Sequence, residues 1–182
     1  MRVIMVMVCT INGKITKGDN PNIYSWTSQE DRRFFFDLLT KYKVKIMGSR
    51  TYDAVKSKIK LQKGHLRIIL TRNPEKYKSD IIPDQLEFSD ESPVALLRKL
   101  KNKGIKQVLL LGGGKINSSF LKEKLVQELY LTIEPKIFGK GKPIFDKEIF
   151  STNLELTSIR KLNKRGTLLL KYRFSKYDRI DV

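Results

Sequence analysis

Cysteine is almost missing from this chain. Cys9 is the single one in 182 residues, so an internal disulfide and a thiolate metal site are both excluded. Histidine is equally scarce: His65 stands alone, which argues against a histidine-rich zinc site and against a conventional Ser-His-Asp triad, although one histidine would suffice for the latter. No apolar run approaches the ~20 residues that a membrane-spanning helix needs. The opening run from Val3 to Cys9 is short and passes into the turn signal Thr10-Ile11-Asn12-Gly13 without a small-residue cleavage site. It therefore reads as a first buried strand, not as a secretion signal. Together these absences describe a metal-free cytoplasmic protein with no membrane partner.

Acidic residues are also few. Nineteen Asp and Glu face 37 Lys and Arg, a formal net charge of +18. Such an excess attracts anionic partners at long range, nucleic acid first and phosphorylated small molecules second. Yet the basic residues are mainly lysine, spread along the whole chain in short clusters such as Lys161 to Arg165. A nucleic-acid surface more often interleaves arginine with aromatics on one element. Dispersed lysine fits a solvated surface, and nucleic acid is not the expected partner.

What is present is an ordinary globular mix, 40% hydrophobic and 31% charged, in a chain long enough to bury a sizeable core. No repeat, linker or low-complexity tract divides it, so residues 1–182 are expected to form a single domain. Val3–Cys9, Val44–Gly48, Leu66–Thr71 and Val108–Leu111 are short apolar runs bounded by turn residues, as interior parallel strands are. Between them lie helical patterns. Thr27-Ser28-Gln29-Glu30 has capping-box spacing with Thr27 as the cap, followed by a stripe of Phe34, Phe35, Leu38, Leu39 and Tyr42. Ser92-Pro93 opens a second helix that Gly104 ends, and a third runs from about Lys115 to Lys124. Beyond Glu128 the rhythm changes to strands without helices: Leu129–Ile133, Leu154–Lys161 and Thr167–Phe174, the last two joined by the turn Asn163–Gly166. The predicted class is α/β, a mainly parallel sheet finished by an antiparallel edge, with ligands at the carboxyl ends of the strands.

Three strand ends offer groups for phosphate. Gly112-Gly113-Gly114-Lys115 joins a buried strand to a helix, where glycines allow close approach and free N–H groups favour an anion. A plain tight turn accounts for it equally well, because the full dinucleotide spacing and the Walker lysine–hydroxyl pair are missing. Gly48-Ser49-Arg50-Thr51 and Thr71-Arg72 supply hydroxyls and guanidinium groups in the same setting. Asp31 sits in the first turn of the aromatic-rich helix. There it complements the helix dipole, or, desolvated by Phe34 and Phe35, it acts as a general acid. Trp26 either closes that pocket or belongs to the core. Thr132 and Glu134, two apart on a late strand, share one face.

The ordered set resembles a known superfamily. Thr10–Ile15, Gly48–Tyr52, Leu110–Lys115 and the run from Glu128 through Pro135 to Phe145 are similar to dihydrofolate reductase and to the C-terminal reductase domain of the riboflavin-biosynthesis deaminase-reductase. The resemblance covers about residues 2 to 174. It implies a dihydrofolate-reductase-like, eight-stranded sheet with flanking helices and NADPH across the strand ends. Gly48, Ser49, Arg50, Thr51, Thr71 and Arg72 then match the adenosine and phosphate contacts. Gly112, Gly113, Gly114 and Lys115 match the glycine turn beneath the cofactor, where a cis peptide between glycines is usual. Asp31 matches the acid that delivers the proton and Thr132 its partner, with Trp26, Phe34, Phe35, Arg67 and Glu134 around the substrate.

Departures occur on both branches. Ser49 follows the turn glycine where arginine is common, with Arg50 one place later. His65 stands where an arginine would hold the folate carboxylate, and Arg67, two residues on, substitutes for it. The Asp-Asp-Pro loop and the deaminase domain of the riboflavin branch are missing, and Asn12 replaces its usual aspartate. On these residues the expected activity is NADPH-dependent reduction of a pterin-like substrate, dihydrofolate ahead of the ribosylaminouracil phosphate of riboflavin synthesis. A homodimer is implied by the second branch only. A basic nucleic-acid-binding protein on the same scaffold is the reading from a different class.

Overall fold

The computed structural model describes residues 1–146 and 151–175. Eight strands form one sheet: β1 (Arg2–Thr10), β2 (Val44–Gly48), β3 (Leu66–Leu70), β4 (Leu86–Ser89), β5 (Gln107–Leu110), β6 (Glu128–Glu134), β7 (Leu154–Lys161) and β8 (Leu168–Phe174). Their order is β4-β3-β2-β5-β1-β6-β8-β7. The five pairings from β4 through β6 are parallel, while β6–β8 and β8–β7 are antiparallel. The expected parallel sheet with an antiparallel edge is therefore present.

Alternation along the strands divides the core in two. Val3, Met5, Ile46, Ile68, Val108 and Leu110 face helices α3 (Pro93–Asn102) and α4 (Gly114–Lys122), whose Leu96, Leu97, Leu100, Phe120 and Leu121 fill that side. Ile4, Val6, Met47, Ile69, Leu109 and Tyr130 point the other way, against Leu38 of helix α1 (Gln29–Lys41) and Tyr42 just beyond it. The short helix α2 (Ser49–Val55) follows β2 directly and buries Tyr52. Among the described residues no helix is long and apolar enough to cross a membrane.

Two local details differ from the residue pattern. Ser28, not Thr27, caps α1: its extended backbone lets Oγ accept from the Asp31 N–H at 3.2 Å. The Thr27 hydroxyl is buried without a partner, and Glu30 accepts instead from the Asn163 side chain at 3.2 Å. Strand β4 has no counterpart among the apolar runs, because its four residues alternate Leu86-Glu87-Phe88-Ser89 and bury little beyond Leu86. Such a strand at the edge of a sheet lacks the continuous hydrophobic signal of the interior ones.

Candidate active site

The parallel strands all end on the same side of the sheet, and there they open onto a cleft of about 1300 Å³. That exceeds the ~300–1,000 Å³ of an ordinary small-molecule pocket and is enough for two ligands end to end. Both faces of the sheet contribute. One arm is bounded by the turns into α2 and α4, the other by α1.

On the first arm the cleft is lined by Gly48, Ser49, Arg50 and Thr51 after β2, by Thr71 and Arg72 after β3, and by Gly113, Gly114 and Lys115 after β5. Three separate strand ends are thus brought together on one surface. The glycines are needed for close packing. A Cβ on Gly48 would lie 2.7 Å from Cγ1 of Ile116, and one on Gly113 would lie 3.1 Å from Oγ1 of Thr51. Gly112 is joined to Gly113 by a cis peptide and sits behind the lining, against Asn117 and Met7. Helix α4 has no side-chain cap, so its first N–H groups are open to an oxyanion. Donor set and shape fit the diphosphate and adenosine of a dinucleotide. Ile15, Thr16, Lys142 and Pro143 close this arm from above, because the backbone of residues 13–18 pairs with 140–144.

On the second arm Asp31 projects from the first turn of α1. It is 6% exposed and hydrogen-bonded to the Thr132 side chain on β6. Burial pushes its carboxyl up to about 6, against the opposing pull of the Thr132 hydrogen bond, and the nearby Glu134 charge adds to the rise. Its direction has a specific cause. A carboxylate three residues after a serine cap ordinarily folds back onto the cap's own N–H. Here that N–H, on Ser28, donates to Glu134 at 2.7 Å, and the second Glu134 oxygen accepts from the Thr167 hydroxyl at 2.8 Å. Glu134 occupies the place that Asp31 would take, and Asp31 is left facing the cleft.

The far end of the same arm carries two buried cations. Lys45 and Arg67 sit opposite each other on β2 and β3 and so share a face, the one toward α1. They are 4% and 8% exposed, and both line the cleft. No carboxylate among the described residues pairs with either. Lys45 donates only to Nδ1 of His65, and Nε of Arg67 has no partner. Burial, reinforced by the Arg67 charge, brings Lys45 down to about 8; burial and Lys45 lower His65 from its ordinary value. Two desolvated positive groups side by side are costly unless an anion joins them. From β2 to β6 is three strand spacings of ~4.8 Å, roughly 14 Å between the backbones that carry the cations and the acid's partner.

The remaining expected residues fall in different places. Phe35 lines the cleft, whereas Phe34 packs on Tyr130 with ring centroids 6.3 Å apart, outside the lining. Trp26 is core, edge-on to Phe138 at 5.4 Å, and Glu134 is taken up by Ser28 and Thr167. Thr132 lies beneath the cleft floor and reaches it through Asp31. Lys45 was not among the expected residues. Its signal was a lysine inside the otherwise apolar strand Val44-Lys45-Ile46-Met47-Gly48, a position that a solvated residue does not take.

A family model described as the RibD C-terminal domain matches residues 1–168. The uncharacterized protein YwjB of Bacillus subtilis is 23% identical over 171 residues, covering 91% of this chain and 90% of its own. Dihydrofolate reductase of Candida albicans is 27% identical over 115 residues, 59% of this chain and 56% of its own. Among solved structures, a putative riboflavin biosynthesis protein from Shewanella sp. PV-4 superposes with a TM-score of 0.77 at 21% identity, covering 97% of this chain and all of the other. These similarities establish the dihydrofolate-reductase-like fold and the reductase-domain relationship.

Two measurements check the acid. A carboxyl raised from 3.8 to about 6 on folding stabilises the fold when protonated, below about pH 4, and that contribution is lost as pH rises to about 6. Asp31→Asn is therefore expected to be more stable than the parent at pH 8, by up to about 3 kcal/mol in urea melts, and no more stable at about pH 3.5. Equal stability at pH 8 contradicts the raised value. Glu134→Leu leaves the Ser28 N–H and the Thr167 hydroxyl without their acceptor, at a cost of about 1–3 kcal/mol. It also releases Asp31 to fold back, so the Asp31 carboxyl should titrate lower by NMR. An unshifted titration would remove Glu134 from its positioning role.

Proposed function

The chain belongs to the RibD C-terminal domain family, and on that premise we propose that it is an NADPH-dependent reductase of 5-amino-6-(5-phosphoribosylamino)uracil. One observation carries this choice of substrate: the buried Lys45–Arg67 pair, with no carboxylate partner among the described residues, at the end of the cleft away from Asp31. A phosphate matches two adjacent cations in charge and in acceptor number, and charge-assisted hydrogen bonds to it are strong. A folate tail would bring its charge as two separate carboxylates, each with half the charge of a phosphate dianion. The order of substrates read from the residues is thereby reversed. Dihydrofolate is retained as a second reading because the Asp31–Thr132 pair suits the ring of a pterin, and because one partial relative is a dihydrofolate reductase.

The roles follow from position. Arg50, Thr51, Thr71 and Arg72 hold the adenosine end of NADPH, and the N–H groups from Gly113 to Lys115 hold its diphosphate. Bound there, NADPH supplies a hydride. Opening of the ribosylamine ring gives a C=N bond between the sugar carbon and nitrogen; its reduction places the hydride on carbon and leaves nitrogen to take a proton. Asp31 holds the proton: a carboxyl titrating at about 6 is protonated in about one molecule in ten at pH 7. Phe35 walls the substrate ring, and burial under α1 keeps bulk water from the carboxyl. The +18 charge draws both anionic ligands toward the cleft.

The test is NADPH oxidation, followed by loss of nicotinamide absorbance, with each substrate in turn. Turnover of the phosphoribosylaminouracil is expected to exceed that of dihydrofolate and to fall as pH rises above about 6, where Asp31 loses its proton. Lys45→Met should raise KM for the phosphorylated substrate about tenfold to a hundredfold and leave KM for NADPH unchanged. Faster turnover of dihydrofolate, or a Lys45→Met enzyme with unaltered KM, overturns the assignment.

A further inference from the structure

Among the described residues Lys45 is the only lysine that the fold buries, and it still lines the cleft. Arg67 stands opposite it on β3, about 4.8 Å away at the backbone, and Leu109 opposite it on β5 is apolar. The only acceptor on the ammonium is Nδ1 of His65. With Nδ1 accepting, the other ring nitrogen keeps its proton and donates to the Leu39 carbonyl, in the last turn of α1, where a helix leaves carbonyls unpaired. Lys43 also faces His65, and Tyr24, which faces Arg67, faces Arg32 and Asp31 of α1 as well. A lysine that is desolvated beside a second cation gives up its proton readily, and here a base is already in contact with it. Burial and the Arg67 charge bring Lys45 down to about 8. At pH 7 roughly one Lys45 in ten is then a free amine, against roughly one in three thousand for a lysine at 10.5.

We propose that Lys45 is a covalent site for small phosphorylated aldehydes, which form an imine on its Nζ while Arg67 holds the phosphate. The Lys45 ammonium passes a proton to His65, and the freed lone pair bonds to the carbonyl carbon as the C=O π pair moves onto oxygen. His65 returns the proton to that oxygen. A nitrogen proton then moves to the hydroxyl, the C–O bond breaks, and water leaves as the C=N bond forms. One ammonium and one aldehyde give one protonated imine and one water, with no oxidant or reductant. Arg67 suits the phosphate because it keeps its charge throughout and its Nε has no partner in the fold. Specificity comes from both groups arriving on one molecule: phosphate alone keeps Lys45 protonated, and an aldehyde alone lacks the anchor. The reductase reading enters only in that an anion reaches this end of the cleft; neither NADPH nor Asp31 takes part. Water adding to the C=N bond of an opened ribosylamine phosphate releases an aldehyde of this class, so breakdown of that substrate occupies Lys45.

Labelling of the full-length protein at pH 7 with pyridoxal 5′-phosphate, followed by borohydride reduction, digestion and mass spectrometry, tests it. Lys45 is expected to be labelled about tenfold or more ahead of the exposed lysines. Pyridoxal, the same aldehyde without the phosphate, should label Lys45 about tenfold less, and inorganic phosphate should protect Lys45 but not the exposed lysines. Arg67→Met should lower labelling of Lys45 by pyridoxal 5′-phosphate to the level seen with pyridoxal. A thermal melt shows that this variant is folded, and the other arms use the parent chain alone. Label spread over exposed lysines with Lys45 passed over, or label on Lys45 that neither phosphate nor Arg67→Met diminishes, would overturn the proposal. The reductase reading is read out separately. Labelled Lys45 with an unaltered KM in the Lys45→Met enzyme leaves the imine site standing and rejects the substrate; a raised KM with Lys45 unlabelled does the reverse.

Discussion

The hydrogen bond from the Ser28 N–H to Glu134 is the constraint on which the site depends. It joins the start of α1 to the end of β6, two elements far apart in sequence, and it fixes where the first turn of the helix begins. Because Glu134 caps the backbone, the acidic residue of that turn is not drawn into capping. Asp31 keeps its backbone N–H on Ser28 and its carboxyl on Thr132, in a place where burial holds the proton. One carboxylate does structural work so that the other can titrate. Their separation into two roles follows from burial and partners, not from residue type.

The sheet order converts this local arrangement into a site with two ends. Because β1 and β5 stand between β2 and β6, the acid and the cations face the same side of the sheet but are held apart by the width of a small ligand. The turns that follow β2, β3 and β5 open on the same edge and gather hydroxyl, guanidinium and backbone N–H groups on one surface. On the proposed reading cofactor and substrate would meet over the middle strands, where Val6, Val8 and Leu111 give an apolar floor. Crossing from one arm to the other requires no moving part; it requires that parallel strands end together, as crossover connections dictate.

Much of this was legible in the residues. The interior strands announce themselves as continuous apolar runs, and the glycine turns mark strand-to-helix corners where side chains would collide. Asp31 was found because a helix start beside aromatics is a place where a carboxyl is desolvated. Other features were hidden for physical reasons. Capping by Ser28 rather than Thr27 depends on Glu134, more than a hundred residues away, so local spacing alone could not assign it. Trp26 and Phe34 are large aromatics that serve a core as well as a pocket, and only packing places them outside the cleft. Strand β4 carries too little apolar surface to signal itself. Lys45 was visible as an anomaly, but its meaning needed the register of β2 on β3, which puts Arg67 beside it.

The energetics of the cleft argue for the kind of molecule that fills it. Asp31, Lys45 and Arg67 are all removed from water, and each is unfavourable as it stands: the acid resists ionising, and the two cations repel one another without a counter-charge. A folded chain tolerates such groups only where the rest of the core is well packed, which the two apolar layers of the sheet supply. On the proposed reading, a ring that accepts a hydrogen bond from the protonated carboxyl at one end and carries a dianion at the other would satisfy all three at once. A ligand lacking either end would leave part of that strain in place. On that reading binding free energy would be concentrated at the two extremes of the substrate, with the bond to be reduced between them, over the floor where the two arms of the cleft meet.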